Sequence, residues 1–152
     1  MQELLKVIQD MNSTYYNDLV YLSEEGIWTM GVSFGGGITG ITYSANTGHY
    51  TKIGNIVTIS GLMYLTSKGS SVGNALITGL PFKVANNDAG IAAVTLRFSG
   101  ITFVGQFQGC TLINTTTIEL TEITEAGNIT TLTNTDFINS SHIMVNCTYR
   151  TE

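Results

Sequence analysis

The sequence predicts a mostly β protein: an antiparallel β-sandwich, jelly-roll-like, preceded by an N-terminal α-helix. Three observations carry this expectation. First, the 152 residues are 43% hydrophobic but only 11% charged, against about 25% charged in an ordinary soluble domain. The polar balance comes from 23 Thr, 12 Asn and 11 Ser, beside 17 Gly. Thr suits a pleated, half-buried surface, while Asn and Gly make turns. Second, from Ile27 onward apolar residues recur at period two in short runs separated by turn residues, and no βαβ rhythm appears. Third, the first 22 residues carry a helical period instead. The length suits one domain, and a chain of this size buries roughly 70% of its unfolded surface without needing a disulfide or a metal.

The helix comes first. Leu4, Ile8, Met11, Tyr15 and Leu22 fall at spacings of 4, 3, 4 and 7, a heptad seam interrupted by Asp18, and Leu5, Asn12 and Leu19 line a neighbouring stripe. At 1.5 Å per residue such a helix is about 30 Å long. A lone helix containing β-favouring Tyr and Val is marginal in water and needs a partner. Two partners fit: the chain's own β-domain, or copies of the same helix in a short intersubunit coiled coil. Gly26 reads as the helix stop, which divides the chain into a helical segment 1–25 and a sandwich 26–152.

The strands follow. Over Ile56 to Thr66, Val57, Ile59, Met63 and Leu65 share one face and Thr58, Ser60 and Tyr64 the other. Gly61 in the middle of that run implies a bulge or a close backbone contact. Val94, Leu96 and Phe98 alternate with Ala93, Thr95 and Arg97; Ile118 and Leu120 alternate with Thr117, Glu119 and Thr121. Ile143 to Tyr149 is the last strand. Turns are expected at Gly35-Gly36-Gly37, Asn46-Thr47-Gly48, Ser67-Lys68-Gly69, Asn86-Asn87-Asp88 and Ala126-Gly127-Asn128.

Composition removes several functions. A net charge of −5 with six Lys plus Arg argues against nucleic-acid binding, which needs a basic face to neutralise phosphates. Mean hydropathy is +0.20, yet no run of about 18 apolar residues is present to span a membrane. The N-terminus has Lys6 but no continuous apolar stretch behind it, so it does not read as a secretory signal. Cys147 continues the alternation Ile143, Val145, Cys147, Tyr149 and reads as a buried free thiol, with a bond to Cys110 left open. Sequons at Asn12, Asn114, Asn128, Asn139 and Asn146 are what chance produces in so Thr- and Asn-rich a chain.

No catalytic arrangement emerges, so the expectation is a protein without enzymatic activity, metal or cofactor. Gly35-Gly36-Gly37-Ile38-Thr39-Gly40 lacks the following helix of a nucleotide loop. His49 and His142 have no carboxylate pattern near them, and a serine elbow of the G-x-S-x-G type is absent. Glu119, Glu122 and Glu125 read as an exposed strand edge and turn rather than as the paired carboxylates of a glycosidase.

One stretch is more specific. It runs Gly26-Ile27-Trp28-Thr29, then Phe34-Gly35-Gly36-Gly37 and Thr39-Gly40-Ile41-Thr42-Tyr43. It continues with Thr47-Gly48-His49-Tyr50-Thr51-Lys52-Ile53-Gly54-Asn55, Val57 and Leu65-Thr66-Ser67-Lys68-Gly69-Ser70, and closes with Gly73-Asn74 and Ile77-Thr78-Gly79-Leu80-Pro81-Phe82. This stretch resembles the C-terminal tip domain of tail fibres and tailspikes of tailed bacteriophages. The resemblance covers a little over a third of the chain, and Met30 departs from it where such sequences often carry Pro. It implies a homotrimer located in the phage virion, made in the bacterial host cytoplasm and joined to other tail fibre or tailspike parts. Its expected partner is a bacterial surface polysaccharide or receptor, with no nucleic acid and no membrane insertion. The chain is then either a fragment or a separately translated tip.

Two functions remain open: host attachment, or a non-binding trimerisation and capping role. For attachment, the expected contacts are Tyr43, His49 and Tyr50 flanking the Asn46-Thr47-Gly48 turn, and Asn86, Asn87 and Asp88 in a polar loop. Aromatic rings stack on sugars while amides and carboxylates bond their hydroxyls; plain turn chemistry is the competing reading of the same residues. Trp28 reads as packing rather than platform.

Overall fold

The computed structural model describes residues 2–21 and 23–152, with the backbone alone over 14–21. Helix α1 spans Gln2–Tyr21. Every described side chain from residue 2 to 13 is exposed, Leu4, Ile8 and Met11 at 65%, 50% and 66%. The alternative in which this stripe packs on the chain's own β-domain therefore does not hold for these residues. Tyr15, Asp18, Leu19 and Leu22, the remainder of the seam, fall outside the described side chains. No described helix is long and apolar enough to cross a membrane.

The expected antiparallel sandwich is present. Sheet one has the order β1-β3-β4-β10-β6, with β1 Ser23–Trp28, β3 Ile41–Ile53, β4 Ile56–Lys68, β6 Thr95–Ile101 and β10 Phe137–Arg150. Sheet two has the order β2-β5-β8-β7, with β2 Gly31–Phe34, β5 Ala75–Thr78, β7 Gln106–Thr111 and β8 Thr117–Ile123. The short β9, Ile129–Thr131, pairs with β8 beyond β5. One core lies between the sheets. Val57, Ile59, Met63 and Leu65 of β4 are buried as their alternation requires, and so are Ile143, Val145, Cys147 and Tyr149 of β10. Val32 and Phe34, Ile77, Ile118 and Leu120 face them from sheet two. Full burial of each aliphatic side chain stabilises the fold by about 1.5–3 kcal/mol.

Two local expectations are corrected. Gly26 does not stop the helix: α1 ends at Tyr21, and β1 starts at Ser23, with Gly26 paired to Tyr50. The sandwich thus begins before the expected boundary at 26. Gly26 is required there because a Cβ would lie 2.7 Å from the Tyr50 ring. Nor is Asn46-Thr47-Gly48 a turn; β3 runs straight through it, pairing Asn46 with Met63, Thr47 with Leu62 and Gly48 with Gly61. The hairpin turn comes six residues later at Gly54-Asn55, where Gly54 has φ +57°. Gly48 serves packing instead. It and Gly61 make room for Trp28, which is 5% exposed and whose Nε1–H donates to the Ser60 carbonyl at 3.0 Å.

Candidate functional site

Because side chains alternate along a strand, adjacent residues of β3 leave the sheet on opposite sides. His49 pairs with Ile27 and Ser60 and is exposed on the outer face of sheet one, the face turned away from sheet two. Tyr50 points the other way. Its ring packs edge-on to Phe82 at 5.2 Å, and its hydroxyl donates to Glu24 Oε1 at 2.8 Å. That bond to Glu24, more than burial, raises the Tyr50 pKa. The two side chains leave the strand on opposite sides, although both residues line the same two surface depressions.

Tyr43 is separated from both by a register shift between Thr42 and Ala45. It is half-buried, its hydroxyl accepts from the Val32 N–H at 2.9 Å, and burial raises its pKa. Tyr43 thereby ties β3 to β2 and joins the two sheets. Asn86, Asn87 and Asp88 are exposed, as expected for a loop. The Asn86 N–H donates to Glu152 Oε1 at 3.3 Å, and the carbonyls of Asn87 and Asp88 close a 3₁₀ turn over Asp88–Gly90. This loop lies at the hairpin end of the sandwich, where the Ala85 N–H donates to the Arg150 carbonyl and the Thr151 N–H to the Asn55 carbonyl. His49 lies five residues up β3 from that turn, about 17 Å at roughly 3.3 Å per residue. The structure does not bring the six expected residues together.

What it does assemble is a broad surface on the outer face of sheet one. Cross-strand registers set its rows: Thr47, Leu62, Met144 and Arg97 in one; Ile27, His49, Ser60, Asn146 and Thr95 in the next. Thr51, Thr58 and Thr148 form a third, with the two hydroxyls of Thr58 and Thr148 bonded at 3.0 Å. Tyr64 and His142 sit opposite each other with ring centroids 4.7 Å apart. The Arg97 guanidinium reaches the Met144 sulfur at 3.7 Å.

His49 is the ridge of this surface. A depression of about 350 Å³ lies to one side, lined by Thr47, His49, Ser60, Leu62 and Met144. A second of about 150 Å³ lies to the other, lined by His49, Thr51, Thr58, Ser60 and Asn146. A third, of about 330 Å³, reaches the sheet edge at Glu25 and Ile27. Such a surface offers hydroxyl, amide and imidazole hydrogen-bonding groups over a floor of half-buried Leu62 and Met144. Among the described residues no three His, Cys, Asp or Glu side chains gather to hold a metal.

Sequence reasoning singled out His49 but missed Leu62, Tyr64, Arg97, His142 and Met144 as its companions. Their outward direction was readable for Tyr64 and Arg97 from alternation alone. Their adjacency depends on β10 pairing with both β4 and β6, and no local signal states that. Comparison with protein-family models, with curated proteins and with solved structures finds no match for this chain.

Proposed function

We propose that this chain is the tip domain of a bacteriophage tail fibre or tailspike, that it assembles as a homotrimer through α1, and that it attaches the particle to the bacterial surface. The observation that carries this reading is the division of labour in the chain. Helix α1 keeps Leu4, Ile8 and Met11 exposed, outside a sandwich that closes its core without them. An apolar stripe left in water at heptad spacing is an assembly element, since burial against partner helices is its route to stability.

The residues of the tip-domain resemblance also have a shared physical task. Trp28, Gly48 and Tyr43 fasten strands and sheets, and Gly35 and Gly79 take positive φ where a Cβ would meet backbone. These are the positions a rigid scaffold needs if recognition is left to its surface. Low charge and a β-framework suit a part that works outside cells.

The test is adsorption and mass together. Fluorescently labelled chain, incubated with a panel of bacterial strains, should coat the cells of susceptible hosts, and light scattering should report about three times 16.3 kDa. A stable monomer that coats no strain would overturn the reading. A trimer that coats none, yet is required for fibre assembly, would favour the capping role instead, which the same exposed helix supports.

A further inference from the structure

We infer that the outer face of sheet one binds acidic polysaccharide, with the depression between His49 and Met144 holding one sugar unit and Arg97 meeting its anionic group. The inference deepens the tip-domain reading and rests on it for the biological source of the glycan. The binding chemistry itself follows from how charge is distributed.

The chain has eleven acidic residues and a net charge of −5, yet its guanidinium and imidazole groups are not spread evenly. Both arginines, Arg97 and Arg150, and both histidines, His49 and His142, stand on this one face. Among the described residues Glu25 is the single carboxylate at an outward position of these five strands. Glu25 lies on edge strand β1 and Arg97 on the opposite edge strand β6, four strand spacings or about 19 Å apart. At that separation salt screens the pair almost completely. Arg97 therefore has no outward carboxylate beside it in the sheet. It contacts a thioether, a weak acceptor, and a guanidinium carries five N–H donors in a fork that suits carboxylate, sulfate and phosphate.

The surroundings of Arg97 favour a sugar over other anions. Met144 and Leu62 floor the depression, and Thr47 and Ser60 place hydroxyls at its sides. A pyranose presents the complement: an apolar C–H face and a rim of hydroxyls. The Tyr64 and His142 rings, tilted 38° to each other, stand one row along on the same strands as Leu62 and Met144, so a neighbouring sugar unit finds an aromatic surface. A sheet face with repeated rows fits an extended polymer, and a polymer gains from several weak contacts at once.

The experiment is affinity electrophoresis of the full chain in gels containing polygalacturonate, dextran sulfate, neutral dextran or double-stranded DNA. Polygalacturonate or dextran sulfate should retard the chain, the effective one identifying carboxylate or sulfate as the anionic group, and added salt should weaken the retardation. Arg97→Gln should reduce affinity about tenfold, the order of one charge-assisted hydrogen bond. Arg97→Lys, which keeps charge but loses the fork, should fall between. Equal retardation by neutral dextran, stronger retardation by DNA, or no effect of Arg97→Gln would each overturn the inference. So would a change of oligomeric mass in Arg97→Gln, which would make this face a subunit contact. Cell adsorption separates the two levels. If the chain binds polyanion but coats no strain, the tip reading fails and the anion-binding face stands. If Arg97→Gln coats cells as well as the parent does, the face fails and the tip reading stands.

Discussion

The indole of Trp28 occupies the space that a side chain at Gly61 would need: a Cβ built there would lie 2.6 Å from Trp28 Cζ2. Gly61 pairs in register with Gly48, so two bare backbone positions form a slot across β3 and β4 for one buried ring. Gly61→Ala should therefore destabilise the sandwich by about 1–3 kcal/mol through overpacking. For a domain of this length that is a drop of roughly 2–4 °C in Tm per kcal/mol. Trp28→Phe in the same background should recover part of the loss, which a double-mutant cycle by urea denaturation measures. Additive effects would mean that the ring and the glycine are not coupled.

Ile8→Asp with Met11→Asp should abolish assembly and leave the β-domain folded. Both side chains are exposed in the single chain, so charge there costs nothing until helices associate. Light scattering should fall to the 16.3 kDa chain mass, while Trp28 fluorescence stays that of the parent. A variant that keeps the assembled mass would remove α1 from the interface.

Tyr43→Phe should cost about 1–3 kcal/mol, because it strips the acceptor from the N–H of Val32, a residue with no exposed surface. His49→Ala, on the exposed ridge, should change stability by less than about 0.5 kcal/mol. Tyr50→Ala should lower Tm clearly, since its ring packs on Phe82 and fills the space above Gly26. Thermal melts of the three variants check this order. A silent Tyr50→Ala would mean that the ring is dispensable to the scaffold.

Alkaline pH should erode stability through Cys147 and Tyr149. Burial pushes the Cys147 thiol from 9.0 up to about 11 and, outweighing its bond to the Phe82 carbonyl, the Tyr149 hydroxyl from 10.0 up to about 12. Both groups are raised in the fold, so the unfolded chain releases its protons first. Their contribution is intact below pH 9 and is lost as pH rises through about 11 and 12. Cys147→Val should flatten the first part of that decline in a series of Tm values from pH 8 to 11. The same burial should keep Cys147 unreactive to a thiol reagent until the chain unfolds. Rapid labelling of native Cys147 would contradict its position in the core.

Legibility followed locality. The alternation in β4, β8 and β10 could be read from sequence because burial on one face selects apolar residues at period two. The free thiol at Cys147 followed from the same pattern. Asn46-Thr47-Gly48 misled because its residues have turn chemistry, yet Gly48 is small for the sake of Trp28, twenty residues earlier. Gly26 misled likewise, since the ring that excludes its Cβ belongs to Tyr50. A glycine in a sequence shows that space is short without showing what fills it.

By itself, then, the sequence determined the class of the protein: antiparallel strands with one apolar face each, and a leading helix whose apolar stripe needs a partner to be stable. Strand pairing between distant segments was decided only by the tertiary structure. That pairing left the Asn86–Asp88 loop at the hairpin end, away from His49. It also set Tyr64 against His142 and placed Arg97 beside Met144. The physical reason is that alternation settles which side of a strand a residue occupies, whereas a binding surface depends on which strands lie side by side. That order comes from packing two sheets over one core, a property of the whole chain.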